Sequence, residues 1–227
     1  SHWGDYTIRL KRSGGGLGNA ALSAAGTPEQ QKKWGDLALS MAITEPGCGS
    51  DPSRVSTSAV LDEATDEWVI NGEKIFVTTG IRAEAVVIWA TLDKSAGRAG
   101  IKSFLVEKGT PGFDVPHKEK KLGIRADDTA AYVFSDCRIP RANLLGGDES
   151  ISKKTSGGFR GVMKTFNMTR PMTAAMGLGL AEAALDFTRE QLAEAGVEID
   201  YMAGLSSQTA AAEKFIRLEA IFDASKL

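Results

Sequence analysis

Ten consecutive residues, Ala42-Ile43-Thr44-Glu45-Pro46-Gly47-Cys48-Gly49-Ser50-Asp51, gather the residue types that could hold a flat polar ligand. The apolar start reads as a strand, and the Pro-Gly pair and the glycine beyond it read as a small-residue loop. Such a strand offers the Ile43 and Thr44 backbone groups, with the Thr44 hydroxyl, to the polar edge of a planar ring. Gly47 and Gly49 let a ligand come close to the backbone. Ser50 and Asp51 add a hydroxyl and a carboxylate where the loop turns away. The plainer alternative is a strand ending in a Pro-Gly turn with an Asx motif. Composition alone favours that alternative, because glycine-bearing loops are common.

Other chemistries find little material in the chain. Cys48 and Cys137 are two and far apart, so they make neither a disulfide framework nor a metal set, and a reducing compartment is the default. His2 and His117 are equally poor metal ligands by number. A formal net charge of −2 offers no basic field to nucleic acid or to anionic lipid. The longest apolar runs, such as Ala85 to Ala90, are too short to cross a bilayer. No charged-then-apolar leader stands at Ser1, so no export signal is expected. With 42% hydrophobic and 25% charged residues over 227 positions, the composition is that of an ordinary globular chain with a real core. Cofactor chemistry, if any, would have to come from other residues.

The elements that must position the ten residues change period along the chain. From Leu17 to Leu39 the reading is helical, with Thr27 as N-cap, Pro28 at the first helical position and Gln30 close behind. The cluster Gly14–Gly16 before it reads as a loop or a kinked helix end. From Met41 to about Leu145 the period is two. Strands are expected at Ser58–Leu61, Glu67–Ile70, Lys74–Thr78, Ala85–Thr91, Ile101–Glu107, Gly112–Val115 and Ala130–Phe134, with Asn71-Gly72 as a hairpin turn. Short strands without helix-length connections predict an antiparallel sandwich or barrel and argue against a parallel nucleotide-binding sheet. From about Gly158 the pattern is helical again. Phe159, Val162, Met163, Phe166 and Met168 open a stripe that Ala174 to Glu194 continues, and Gly177 and Gly179 would allow close helix approach. A last helix reads from about Ser207 to Leu227.

The segment Ala42–Asp51 resembles the signature of the acyl-CoA dehydrogenase family: alanine, an apolar residue, Thr-Glu-Pro, two small residues, Gly-Ser-Asp. Further stretches keep step with that family from about Leu17 to Phe187. Leu17–Trp34 resembles the last helices of its N-terminal domain, and Trp68–Gly80 its Asn-Gly hairpin and flavin-facing strand. Leu122-Gly123-Ile124-Arg125 and Phe134-Ser135-Asp136-Cys137-Arg138-Ile139-Pro140 resemble the close of its β domain. Asn167-Met168-Thr169-Arg170-Pro171 resembles the opening of its C-terminal bundle.

The resemblance implies an α+β architecture: the end of an N-terminal α-helical domain (1–39), a middle antiparallel β-barrel or sandwich that binds flavin (40–150), and the start of a C-terminal helical domain (151–227), incomplete at both ends. It implies FAD as cofactor, touched by Met41, Ile43, Thr44, Gly49 and Ser50 on one strand and loop and by Phe76, Val77 and Thr78 on another. Phe76 stands where the family commonly has a tryptophan over one flavin face, and Thr78 where a hydroxyl meets the ring's reactive edge. Read without the resemblance, Phe76 is a core residue, since phenylalanine is mostly buried. Ser50, Asn167 and Arg170 would face acyl-CoA, the last two from one side of a helix.

The activity implied is α,β-dehydrogenation of an acyl-CoA thioester. A carboxylate removes the α proton, donors hold the developing charge on the carbonyl, and hydride passes to the flavin. The implied partners are acyl-CoA, an electron-transfer flavoprotein as acceptor and further subunits in a homo- or hetero-oligomer. The implied location is the cytoplasm, or the mitochondrial matrix in a eukaryote. Two departures stand out. The base is expected beyond Leu227, and Thr169, where a minority of the family places it, cannot serve at neutral pH; Glu182 and Glu190 read as surface carboxylates. After Leu192 the text Ala193–Tyr201 lacks the family's Arg and Phe-Gly that reach a neighbouring subunit's FAD. A non-catalytic homologue that keeps the fold and an acyl-CoA oxidase are therefore the alternatives.

Overall fold

The structure, a computed structural model, describes residues 16–151 and 157–227, with the side chains at 157–162, 164, 165 and 168 left out. His2, Gly14 and Gly15, and the Phe159, Val162 and Met168 side chains of the expected stripe, lie outside the described residues. The chain divides into two compact units between Met168 and Thr169.

In the first unit, helix α1 (Leu17–Ala25) leads to α2 (Pro28–Trp34). Helix α2 starts where expected because Thr27 and Gln30 form a reciprocal capping box, each side chain bonding the other's backbone N–H. Seven strands follow: β1 (Leu39–Ala42), β2 (Ser58–Asp62), β3 (Glu67–Thr78), β4 (Ala85–Thr91), β5 (Ile101–Glu107), β6 (Phe113–Asp114) and β7 (Thr129–Pro140). They form one sheet in the order β1-β4-β2-β3-β7-β6, with β5 on the other side of β4.

Strand β4 explains why this sheet needs two cores. Every one of its residues is buried. Val86, Ile88 and Ala90 enter a cluster with Trp68, Ile70, Phe104, Tyr132 and Phe134, whereas Ala85, Val87 and Trp89 enter another with Leu22, Trp34 and Leu39. Period-two alternation thus feeds both faces, and α1 and α2 supply part of the second cover.

Two expectations need correction. The sheet is α+β in context but not purely antiparallel: β1 runs parallel to β4, and β2 meets β4 in parallel at Ser58 and Thr91. The described ladder is open and belongs to a single sheet, which departs from a two-sheet sandwich or a closed barrel. Parallel neighbours arise because β1 and β4 are joined through β2 and β3 rather than by a tight turn. Nor is Asn71-Gly72 a hairpin turn. It lies inside the twelve-residue β3, and the reversal between β2 and β3 comes at Asp62–Glu67. Gly72, at φ 147°, sits at a bulge where any Cβ would fall 2.5–2.8 Å from Thr57 atoms. The Asn71 amide instead bonds Asp136 across to β7. Here glycine serves close packing rather than chain reversal.

Helix α3 (Gly157–Glu194) runs through Pro171 and carries the sequence from the first unit into the second. In the second unit it pairs with α4 (Ala210–Ala224), capped by Thr209. Arg189 ties to Glu219, and its guanidinium lies over the buried Phe215. Gly177 and Gly179 face open space, so the close approach expected of them is not used among the described residues.

Candidate functional site

The signature segment and the end of β3 come together. Beyond β1 the chain continues through Ile43 and Thr44, and the Ile75 amide donates to the Thr44 carbonyl at 2.9 Å. The loop then closes on itself: Glu45 N–H donates to Cys48 C=O at 2.8 Å, and Cys48 N–H to Glu45 C=O at 3.0 Å. Pro46 and Gly47 form its exposed tip. A Cβ built on Gly47 or Gly49 would meet nothing within 4 Å, so the loop presents bare backbone to open space. Asp51 takes the plainer of its two expected roles: its carboxylate accepts from Ser53 N–H and Oγ and caps the turn Pro52–Arg54.

Phe76 overturns its expected burial. Along β3, Lys74 pairs with Tyr132 and Val77 with Ala130, so Ile75 and Phe76 together stand opposite Ala131 in a bulge. The bulge leaves Phe76 at φ 57° with 60% of its surface exposed, while Val77 turns inward at 1%. A left-handed backbone is strained for a bulky aromatic residue, at a cost of about 1–3 kcal/mol. Exposure of a ring held that way points to something it is meant to cover. Thr44 and Thr78, both half-buried, have hydroxyls that bond no other described residue. An aromatic lid, two unused hydroxyls and side-chain-free loop backbone suit a planar heteroaromatic ligand.

The turn after Thr78 is clamped from several sides. Thr79 is also left-handed, at φ 60°, and its amide donates to Asp128 C=O at 2.7 Å. The Asp128 carboxylate accepts from Ile81 N–H and from the Arg82 guanidinium, which also reaches Asp127. Burial raises the Asp128 carboxyl, but the Ile81 amide and Arg82 outweigh it and hold the group below the usual range. Burial and the neighbouring Asp128 charge push Asp127 up instead. Tyr132 donates its hydroxyl to Gly80 C=O at 2.8 Å and lies 3.0 Å from Ser40 Oγ, linking this turn to β1. Burial lifts its phenol to about 12, so it stays a neutral donor.

The remaining expected site residues distribute as follows. Met41 is half-buried against the second core and Ile43 is 8% exposed within it, so both offer backbone rather than side chain. Val77 is likewise reachable only through its backbone. Ser50 is exposed at the loop. Asn167 and Arg170 are both exposed on α3, the first in the first unit and the second in the other. Glu190 is exposed, and Glu182 is half-exposed, 3.9 Å from Lys226. Cys48 is buried, and burial and the Glu45 charge raise its thiol. Among the described residues no group of three or more His, Cys, Asp or Glu could hold a metal, and no helix is long and apolar enough to cross a membrane.

Sequence reasoning missed the pair behind the loop, Glu45 and Lys74, whose side chains are 2% and 0% exposed and 2.7 Å apart. A signal was there. Lys74 shares the inward parity of Trp68 and Ile70 on an alternating strand, where a lysine needs a buried partner.

Comparison with known proteins identifies the family and the fold. Residues 40–137 match the model of the acyl-CoA dehydrogenase middle domain, and residues 156–227 that of the acyl-CoA dehydrogenase C-terminal domain. The chain is 36% identical to the acryloyl-CoA reductase (NADH) of Anaerotignum propionicum, over 89% of its own length and 54% of that protein's. It is 42% identical to the mitochondrial short-chain specific acyl-CoA dehydrogenase of Rattus norvegicus, over 71% of itself and 38% of the relative. Its fold superposes on butyryl-CoA dehydrogenase from Megasphaera elsdenii with a TM-score of 0.77 at 32% identity, covering 92% of this chain and 53% of the other. The chain therefore spans about half or less of the length of these relatives.

Proposed function

The chain belongs to the acyl-CoA dehydrogenase family, and from that premise we propose that it is the flavin-binding part of an FAD-dependent enzyme acting on a short-chain acyl-CoA thioester. The observation that carries the reading is the bulge at Phe76 beside the Thr44 strand end, where an exposed ring in a strained backbone adjoins two unengaged hydroxyls. FAD, when bound, supplies the acceptor for a hydride leaving the carbon β to the thioester. Phe76 covers one face of the ring and shields it from water. Thr78 donates its hydroxyl to the ring edge, and Thr44 and the Ile43 backbone hold the opposite polar groups. Gly47 and Gly49 would admit the ligand to the loop backbone, and Ser50, exposed at the loop, would face cofactor and thioester. Asn167, exposed on α3 in the same unit as the slot, would serve the CoA thioester.

The short-chain assignment is supported by the names of the relatives, which include short-chain specific and butyryl-CoA dehydrogenases. The catalytic base is not assigned to a described residue. Thr169 cannot act as one at neutral pH. That departure favours a second reading, a homologue that binds flavin without turning over. Anaerobic addition of butyryl-CoA to the FAD-loaded full-length protein separates the two. Bleaching of the flavin band supports the enzyme, and a stable yellow colour supports the non-catalytic homologue. A full-length protein that takes up no FAD contradicts both. Peroxide formed during aerobic turnover would identify an oxidase rather than a dehydrogenase that passes electrons to a partner flavoprotein.

A further inference from the structure

The flavin reading leaves the buried Glu45–Lys74 pair without a role, and its connections supply one. The three hydrogens of the Lys74 ammonium meet three acceptors: Glu45 Oε1 at 2.7 Å, Trp89 C=O at 2.6 Å and Ile43 C=O at 3.3 Å. The Glu45 carboxylate accepts, besides Lys74, the Ser56 N–H at 2.7 Å, the Ser56 hydroxyl at 2.6 Å and the Thr57 N–H at 3.0 Å. Five strands and segments are thereby tied at one point: the Ile43–Thr44 strand end, the signature loop, β3, β4 and residues 56–57. A buried ion pair seldom exceeds well-packed apolar residues in stability, so its contribution is sought in geometry.

The geometry at stake is the slot itself. Glu45 follows Thr44 directly, and Lys74 precedes Ile75 and Phe76, the two residues of the bulge. We propose that Glu45 and Lys74 are positioning residues that set the spacing and tilt of the Thr44 edge against the Phe76–Thr78 edge, and so tune the bound flavin. Glu45 acts through Thr44, and Lys74 through the bulge that turns Phe76 outward. Burial works against the Glu45 charge, yet the Lys74 charge with the donors of Lys74, Ser56 and Thr57 holds the carboxyl down to about 2. Burial pushes the Lys74 ammonium down while the Glu45 charge and hydrogen bond hold it up, so each charge depends on the other's presence.

This inference rests on the flavin reading, and its test separates the two. Lys74→Met, Glu45→Gln and the combined variant are compared with wild type in the full-length protein loaded with FAD. Each single variant strands one buried partner, and FAD binding is expected to weaken roughly tenfold or more. At a fixed dye potential the oxidised-to-reduced flavin ratio is expected to move about tenfold, which is about 30 mV for a two-electron couple. The combined variant has no stranded charge and is expected to regain melting temperature but not the wild-type flavin potential. It also keeps the question answerable if a single variant fails to fold. A wild-type potential in folded Lys74→Met, or a combined variant that regains melting temperature and potential together, would reduce the pair to ordinary scaffolding and overturn the inference. Wild-type protein that binds no FAD would instead overturn the function beneath it.

Discussion

Phe76 holds an aromatic ring out of the core on a backbone conformation that phenylalanine ordinarily avoids, φ 57°, and the cost of that arrangement can be measured. Replacing Phe76 with glycine removes a Cβ that a left-handed residue does not tolerate well, and because the ring is 60% exposed it sacrifices little packing. The apoprotein of Phe76→Gly is expected to be more stable to urea by about 1 kcal/mol. FAD titration of the same variant should show weaker binding. A destabilised apoprotein would mean that Phe76 is an ordinary packing residue and that the bulge stores no strain. At this scale the sequence was partly readable. Thr44 and the glycines of the loop read as a ligand edge by type and order, Thr78 joins them only through the family resemblance, and Phe76 by type alone reads as core. What reverses the reading is a two-against-one pairing opposite Ala131, and strand pairing is invisible in a single strand's residues.

Among elements, β3 concentrates the features that aim the site, and its Gly72 lies beside a second bulge, which β7 carries at Ser135 and Asp136 opposite Asn71. At Gly72 the backbone at φ 147° and the Thr57 side chain leave no room for a methyl group. Gly72→Ala is expected to cost at least about 2 kcal/mol of stability in urea denaturation, from backbone strain and overpacking together. A change within about 0.5 kcal/mol, the range of an ordinary surface substitution, would show that Thr57 yields and that Gly72 does not shape the strand. The Asn-Gly pair illustrates how a local signal can be right in kind and wrong in use. It does mark unusual backbone, but Asn71 spends its amide on Asp136 of β7, and the strand continues. By contrast Thr27, Pro28 and Gln30 specify the start of α2 within four residues, so that element is readable without any tertiary partner. Elements whose geometry is closed by neighbours in sequence were legible; those closed by distant strands were not.

For the whole molecule, the same distinction separates what composition and period foretell from what topology decides. Short, largely apolar runs at Ala85–Thr91 and Ile101–Glu107 predict the strands, and their pairing is antiparallel as expected. The parallel register of Leu39–Ala42 on Ala85–Ile88 depends on contacts more than forty residues apart and has no local mark. That long-range pairing matters to function, because it anchors the strand from which Ile43 and Thr44 emerge, while β7 anchors the turn beyond Thr78 through Tyr132 and Asp128. On the flavin proposal these two edges frame a slot for a flat three-ring cofactor. A crystal structure of the full-length protein with FAD tests it most directly. The isoalloxazine is expected between Thr44–Ser50 and Phe76–Thr78, with the Phe76 ring against one face and the Thr78 hydroxyl within hydrogen-bonding distance of its edge. FAD bound elsewhere, or a Phe76 ring folded into the core with the two edges closed on each other, would contradict it.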